Sequence, residues 1–292
     1  MILGRSALWA LAALLAWVPC AVSAQSQGTA PVPTPVHAQG LVEELLSVSL
    51  SPLATQSGVL SRSTTAVAPR RLAVLLPGHP SVVRPEVEDG VMKRSALTGN
   101  FLIRARRHLA DEDIALLLVD CRSDQGALCS AQYQASSQRQ KDVQLLVDQA
   151  RRRLPSIEEV WLVGTSMGTI SSTHMAQHDP KAYRGAIHTA SITEPLAAGS
   201  YRIMAQLDLR NSPVRHVLVH HQDDPCSLTT HAGAVRWSRA FGIPLLTVRG
   251  GGGFEGPPCM AHTEHGFKGR EREVMRAIAA IIRGAPAVSS EL

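Results

Sequence analysis

The chain has 292 residues, 45% of them hydrophobic and only 4% aromatic, with a formal net charge of +5. That length buries one sizeable core, as one large α/β domain or two small ones. The basic surplus points to a solvated surface rather than to nucleic acid: the arginines are scattered or helical, Arg151, Arg152 and Arg153 fall at a helix end where the dipole favours cations, and few aromatics are present to stack bases.

In chain order, "MILGRSALWALAALLAWVPCAVSAQ" opens with one cation, Arg5, followed by a short apolar stretch ending near Val18 and by small residues before Gln25. The pattern predicts a signal peptide over 1–24, cleaved after Ala24. The apolar stretch is short for a membrane span and no charged stop follows it. A periplasmic or secreted protein with no stable membrane anchor is expected. Residues 25–40, rich in Pro, Gln, Ser and Thr, read as a flexible leader with no core role.

One domain is expected over 41–292. "LVEELLSVSL" begins it as a short helix or an edge strand. "RLAVLLPGHP" is a buried strand stopped by Pro77 and Gly78. "GNFLIRARRHLA" has helical spacing, with Phe101, Ile103 and Leu109 inward and its Arg and His residues outward. "IALLLVD" is a second buried strand ending at Asp120, and "RQKDVQLLVDQARRRL" an amphipathic helix. "EVWLVG" is a third strand, followed by a helix from about Gly168 to Gln177. "RGAIHTA" and "VRHVLVHH" are the fourth and fifth strands. "TTHAGAVRWSRAFG" is a helix, "PLLTVRGG" a sixth strand, and "GREREVMRAIAAIIRG" a closing amphipathic helix. Strands alternate with helices, and the strands are continuous apolar runs. This predicts an α/β fold: a mostly parallel sheet with helices on both faces.

The third strand runs into its helix through "VGTSMG". A serine at such a sharp turn sits in a strained backbone with its hydroxyl exposed. Small residues at Gly164 and Gly168 let strand and helix nearly touch. Ser166 is the candidate nucleophile, and the Met167 N–H is aimed at the place where an oxyanion would form. A serine hydroxyl needs a base, and the base needs a carboxylate to hold its tautomer. "VLVHHQDDPC" supplies the acid after the fifth strand. Asp224 is preferred to Asp223, because the chain has by then cleared the strand. "AHTEHGF" supplies the base. His265 is preferred to His262, because Gly266 lets the backbone turn and Phe267 can pack the loop down. "LPGHPS" after the first buried strand offers the second oxyanion donor, the His79 N–H, since Pro80 has none. His108, His178 and His231 read as helix-surface residues.

Removing the signal peptide leaves Cys121, Cys129, Cys226 and Cys259. An even number in an oxidising compartment predicts two disulfides, with three pairings open. The local pairing, Cys121 with Cys129, leaves Cys226 with Cys259.

With "LPGHP", "VGTSMG", "HHQDDPC" and "HTEHGF" in this order, the chain resembles the α/β-hydrolase family over most of its length beyond the signal peptide. It looks closest to exported bacterial members, which carry a similar "GNFLIRAR", a "SDQ" after the Asp-ending strand and a cysteine beside both acid and base. The resemblance implies an eight-stranded sheet and serine hydrolase chemistry with no cofactor; no metal is expected, because no HExxH spacing is present and a metal would leave the serine turn unexplained. Only some two dozen residues separate "RGAIHTA" from "VRHVLVHH", too few for a large lid of the kind many lipases have. The expected function is cleavage of a carboxylic ester or related acyl bond of a small-molecule substrate, through an acyl-enzyme on Ser166. The alternatives are a catalytically silent binding protein of the same fold, a peptidase, and a metal-dependent hydrolase using His220, His221, Asp223, Asp224, His262 and His265. Gly251, Gly253 and Gly256 match GxGxxG, but two prolines follow and no helix starts there, so a dinucleotide site is not expected.

Overall fold

Apolar runs with no polar alternation must be covered on both sides, and that requirement sets the architecture. A computed structural model describes residues 34–194, 199–286 and 290–292. The signal peptide and the leader up to residue 33 lie outside the described residues. Strand β1 (Leu41–Ser51) pairs antiparallel with β2 (Ala54–Ser63). Then follow β3 (Arg71–Leu76), a small hairpin of β4 (Glu86–Glu88) and β5 (Val91–Arg94), α1 (Phe101–Arg104), β6 (Ile114–Val119), α2 (Ala131–Gln134) and α3 (Ser137–Arg153). The second half holds β7 (Glu159–Thr165), α4 (Gly168–His178), β8 (Gly185–Thr189), β9 (Arg215–His221), α5 (His231–Phe241), β10 (Leu245–Val248), α6 (Glu271–Ile282) and β11 (Ser290–Glu291).

Nine strands form one sheet in the order β1-β2-β6-β3-β7-β8-β9-β10-β11. All neighbours from β6 onward run parallel. The "LVEELLSVSL" segment is therefore the edge strand of its two expected forms. The ninth strand beyond the implied eight is the two-residue β11, which pairs with β10 at Leu246 and Thr247. Alternate residues of the central strands feed two cores. Ala73, Leu75, Leu116, Leu118, Trp161 and Val163 pack with α1 and α6, through side chains such as Phe101 and Ile278. Leu72, Val74, Leu117, Val119 and Leu162 pack on the other face with α3 and α4, through Leu146, Val147 and Met175. No helix among the described residues is long and apolar enough to cross a membrane.

Two expectations are corrected. Order begins before residue 41: Val36–Ala38 form a 3-10 turn and Ala38 is fully buried. "GNFLIRARRHLA" is not one amphipathic helix. It is the four-residue α1 followed by a 3-10 turn at Arg106–His108. Phe101, Ile103 and Leu109 are buried as expected, but Arg106 is fully buried too. Its guanidinium makes two bonds of 2.9 Å to the Glu43 carboxylate of β1, which also accepts from Ser61 Oγ and the Met92 N–H at 2.7 Å. Burial pulls the Glu43 carboxyl upward, but Arg106, Ser61 and Met92 outweigh it and hold the group below its ordinary range. Removing one partner strands the other charge in the core. Glu43→Ala should therefore cost about 3–5 kcal/mol of stability, read by urea denaturation, and pairing it with Arg106→Met should recover much of the loss.

A second polar line crosses the sheet. Ser172 Oγ lies 2.7 Å from His188 Nδ1, His188 Nε2 lies 2.9 Å from His216 Nδ1, and His216 Nε2 lies 2.9 Å from Ser212 Oγ. Burial first, then His216 and His220, keep His188 well below the usual histidine range, and burial lowers His216 to about 4. A histidine whose folded pKa is depressed gives stability that is full above the unfolded value. That stability is lost as pH falls from about 6.5 toward about 4, because the unfolded chain takes up the proton first. His216 alone contributes on the order of 3 kcal/mol to this slope. Urea midpoints should drop across that window, and His216→Gln should flatten the dependence even if it lowers the plateau.

Candidate active site

The central strand β3 is flanked by β6 on one side and β7 on the other, both parallel to it. The chain thus departs in opposite directions from β3, and a crevice opens at the carboxyl ends of these strands. The loop after β3, the turn after β7 and the loop after β9 meet there.

Ser166 occupies the turn between β7 and α4 at φ 51°, a left-handed conformation that costs a non-glycine residue of order 1 kcal/mol or more. Its N–H donates to the Thr189 carbonyl at 3.0 Å, and its own carbonyl accepts from the Thr169 N–H and hydroxyl. The two flanking glycines have steric reasons to be there. A Cβ on Gly168 would collide with the backbone carbonyls of Leu76 and Pro77. One on Gly164 would sit 2.5 Å from Ser172 Oγ and 2.8 Å from the Gly168 carbonyl. Gly78, from the loop after β3, also lies against Ser166.

Asp224 and His265 are brought together from two loops. His265 Nδ1 lies 3.1 Å from Asp224 Oδ2 and 3.3 Å from Oδ1. The Asp224 side chain is fully buried and that of His265 nearly so. Asp224 Oδ1 further accepts the Cys226 N–H at 2.9 Å, and Thr229 Oγ1 donates to Oδ2 at 2.8 Å. Asp223 is exposed, with its N–H on His221 Nδ1. His265 is fixed from its own side by Thr263, whose hydroxyl accepts the His265 N–H, and by the packing of Phe267 on Phe101. Gly266 is needed where the chain folds back, because a Cβ there would strike the Ala261 backbone. His262 is half-buried beside Gly99, its pKa lowered by burial and then by Arg104 and Lys268.

Ser166, His265 and Gly78 line one cavity of about 860 Å³ with His79, Asn100 and His262. Its remaining wall is largely apolar: Leu97, Phe101, Ile192, Tyr201, Leu228 and Met260. No hydrogen bond joins Ser166 Oγ to His265 among the described residues. The backbone N–H groups of Met167 and His79 donate no hydrogen bond among the described residues. Met167 directly follows Ser166 in the turn after β7, and His79 lines the cavity from the loop after β3.

Residues that sequence reasoning missed hold the site's frame. Asp120, at the end of β6, accepts the N–H groups of Val83 (2.6 Å), Arg84 (3.0 Å) and Cys121 (2.7 Å), which anchors the loop carrying His79. Burial raises its carboxyl above the ordinary range in spite of these three donors. Gln134 donates to Ser81 Oγ of the same loop and to the Cys129 carbonyl of the loop after β6. Thr229 was missed as well. Disulfides form as Cys121–Cys129 and Cys226–Cys259, the local pairing and its complement. The second ties the loop after β9 to the segment before His262.

The six residues considered for a metal do not gather. Asp224 and His265 pair with each other, His220 Nε2 accepts the Ser191 N–H, His221 Nε2 lies on the Gly250 carbonyl, and Asp223 faces solvent. Among the described residues no group of three such side chains is placed to ligate one ion.

No protein-family model and no curated protein matches the sequence. Solved structures do match in shape. A serine hydrolase without a lid from Xanthomonas campestris is 12% identical, over 83% of this chain and 94% of its own, with a TM-score of 0.55. Est1E from Butyrivibrio proteoclasticus, solved with bound ferulic acid, is 11% identical over 82% of this chain and 98% of its own, with a TM-score of 0.56. A protein of unknown function from Agrobacterium tumefaciens is 13% identical over 82% and 97%, with a TM-score of 0.54. At such identities the likeness establishes architecture alone. With the sheet order and the strand-to-helix turn at Ser166, it makes this chain's fold that of the α/β hydrolases.

Proposed function

We propose that the chain is a serine hydrolase that cleaves carboxylic esters of small molecules through an acyl-enzyme on Ser166. One observation carries this reading: a serine held at φ 51° opens into the same cavity as a histidine whose Nδ1 is fixed by a buried carboxylate. In this mechanism His265 Nε2 takes the proton from Ser166 Oγ as the oxygen attacks the ester carbon. The Met167 and His79 N–H groups receive the oxyanion. Asp224 holds the Nδ1–H tautomer and stabilises the imidazolium. The proton then passes to the leaving alkoxide, and water repeats the sequence to release the acid and free Ser166. The apolar wall favours esters with an apolar acyl or alcohol part. Among the relatives in shape, a serine hydrolase without a lid and a protein solved with ferulic acid are in keeping with that class. We also read the protein as exported, because its two disulfides belong to an oxidising compartment.

The test is a panel of chromogenic esters of rising chain length beside aminopeptidase substrates, with and without a chelator and a serine-directed phosphonate. Ester hydrolysis that survives the chelator, with one phosphonate adduct mapped to Ser166, is the expected result. Activity lost to the chelator, or labelling elsewhere with no ester turnover, overturns the reading.

A further inference from the structure

We propose that Thr229 is a positioning residue of the acid–base pair and selects the reactive tautomer of His265. The proposal rests on reading Ser166, Asp224 and His265 as the catalytic set. Thr229 is fully buried five residues past Asp224, with its N–H on the Cys226 carbonyl. Its Oγ1 lies 2.8 Å from Asp224 Oδ2 and 3.0 Å from His265 Nδ1. That placement differs from the ordinary use of a buried threonine in this molecule. Thr173, Thr189 and Thr263 spend their hydroxyl protons on backbone carbonyls, at 2.7, 3.0 and 2.9 Å respectively. Thr229 instead sits between a carboxylate and an imidazole.

The hydroxyl has one proton and two candidate acceptors. The carboxylate is charged and acceptor-only, so it draws that proton in a charge-assisted bond. The hydroxyl's lone pairs then face His265 Nδ1, which must carry its own proton to bond either oxygen. The opposite arrangement, with the O–H pointed at a bare Nδ1, would put the ring proton on Nε2 and leave the ring unable to accept from Ser166. It would also leave Asp224 Oδ2 without a donor in a buried site. Thr229 thus ties the state of Asp224 to the tautomer of His265. His220, fully buried and lowered to about 4 chiefly by burial, adds no competing charge.

The experiment compares Thr229→Val, which keeps the shape and removes the hydroxyl, with Thr229→Ser, which keeps the hydroxyl. Thermal midpoints are recorded for both. In Thr229→Val, kcat for the best ester should fall on the order of ten- to a hundredfold with KM nearly unchanged, the loss expected for a bond to a charged group. The midpoint of the kcat/KM–pH profile should move downward, because the Nδ1–H of the imidazolium loses one of the oxygens that faces it. Thr229→Ser should restore most of both. Independently of turnover, ¹⁵N shifts of the His265 ring should report Nδ1–H as the dominant tautomer in the native protein and a mixture in Thr229→Val. An unchanged tautomer, or a rate loss that only follows thermal stability with no shift of the pH midpoint and no rescue by serine, overturns the proposal. A native protein that turns over no ester defeats the hydrolase reading instead, and the ring shifts still decide the tautomer question.

Discussion

Ser166→Ala should lower kcat for the best ester by about 10⁴- to 10⁶-fold, the loss seen when a nucleophile is removed from a set that works as a unit. Its thermal midpoint should stay near that of the native chain, since the Ser166 hydroxyl has no hydrogen-bond partner among the described residues and alanine keeps the same Cβ at φ 51°. Ser166→Gly separates the chemistry from the fold. It should be equally inactive yet more stable by roughly 0.5–1 kcal/mol, because glycine accepts a positive φ without steric cost. Inactive and stabilised together would mark strain retained for function. Turnover by Ser166→Ala at a near-native rate would remove the serine from the mechanism altogether.

The fold was legible wherever burial is two-sided. β3, β6, β7, β8 and β9 are apolar runs because both their faces are covered, so they announce themselves without any partner information. β2 does not. Its sequence "ATQSGVLSRS" carries Gln56 and Ser61, which are buried only because they reach the Asp120 carbonyl and Glu43. The same holds for Arg106: its partner lies in β1, and nothing local distinguishes it from the solvent-facing arginines around it. Long-range polar pairing is invisible to a periodicity.

At the site, chain order carried the reading. A sharp serine turn followed by a carboxylate and then a histidine, each just past a strand, is a pattern in one dimension, and the structure brings Asp224 and His265 into contact and Ser166 into their cavity. Asp120 and Thr229 have no such signature. Asp120 looks like a strand-ending residue, and Thr229 like any loop threonine. Their roles exist only once loops distant in sequence are folded against them.

Side-by-side kinetics of four variants should rank the acid and base candidates steeply. His265→Ala should damage turnover about as severely as Ser166→Ala, because a nucleophile without its base is only a weakly reactive alcohol. Asp224→Asn should cost on the order of 10⁴-fold, since an amide in that position favours the wrong imidazole tautomer and cannot stabilise the imidazolium. Asp223→Asn should cost about twofold at most: that carboxylate is exposed, where charge is screened. His262→Ala should act mainly through KM, as the half-buried ring lines the cavity beside Gly99 and makes no hydrogen bond to a carboxylate among the described residues. In the native protein the rate should climb with pH, because only the neutral ring can take the serine proton. That limb should vanish in the His265→Ala background while persisting in His262→Ala. A larger loss from Asp223→Asn than from Asp224→Asn would move the acid by one residue against the hydrogen bonds of 3.1 and 3.3 Å that join Asp224 to His265. A larger loss from His262→Ala would move the base to a ring with no hydrogen bond to a carboxylate among the described residues. Either result would mean that the loops after β9 and β10 rearrange by several ångströms when substrate binds.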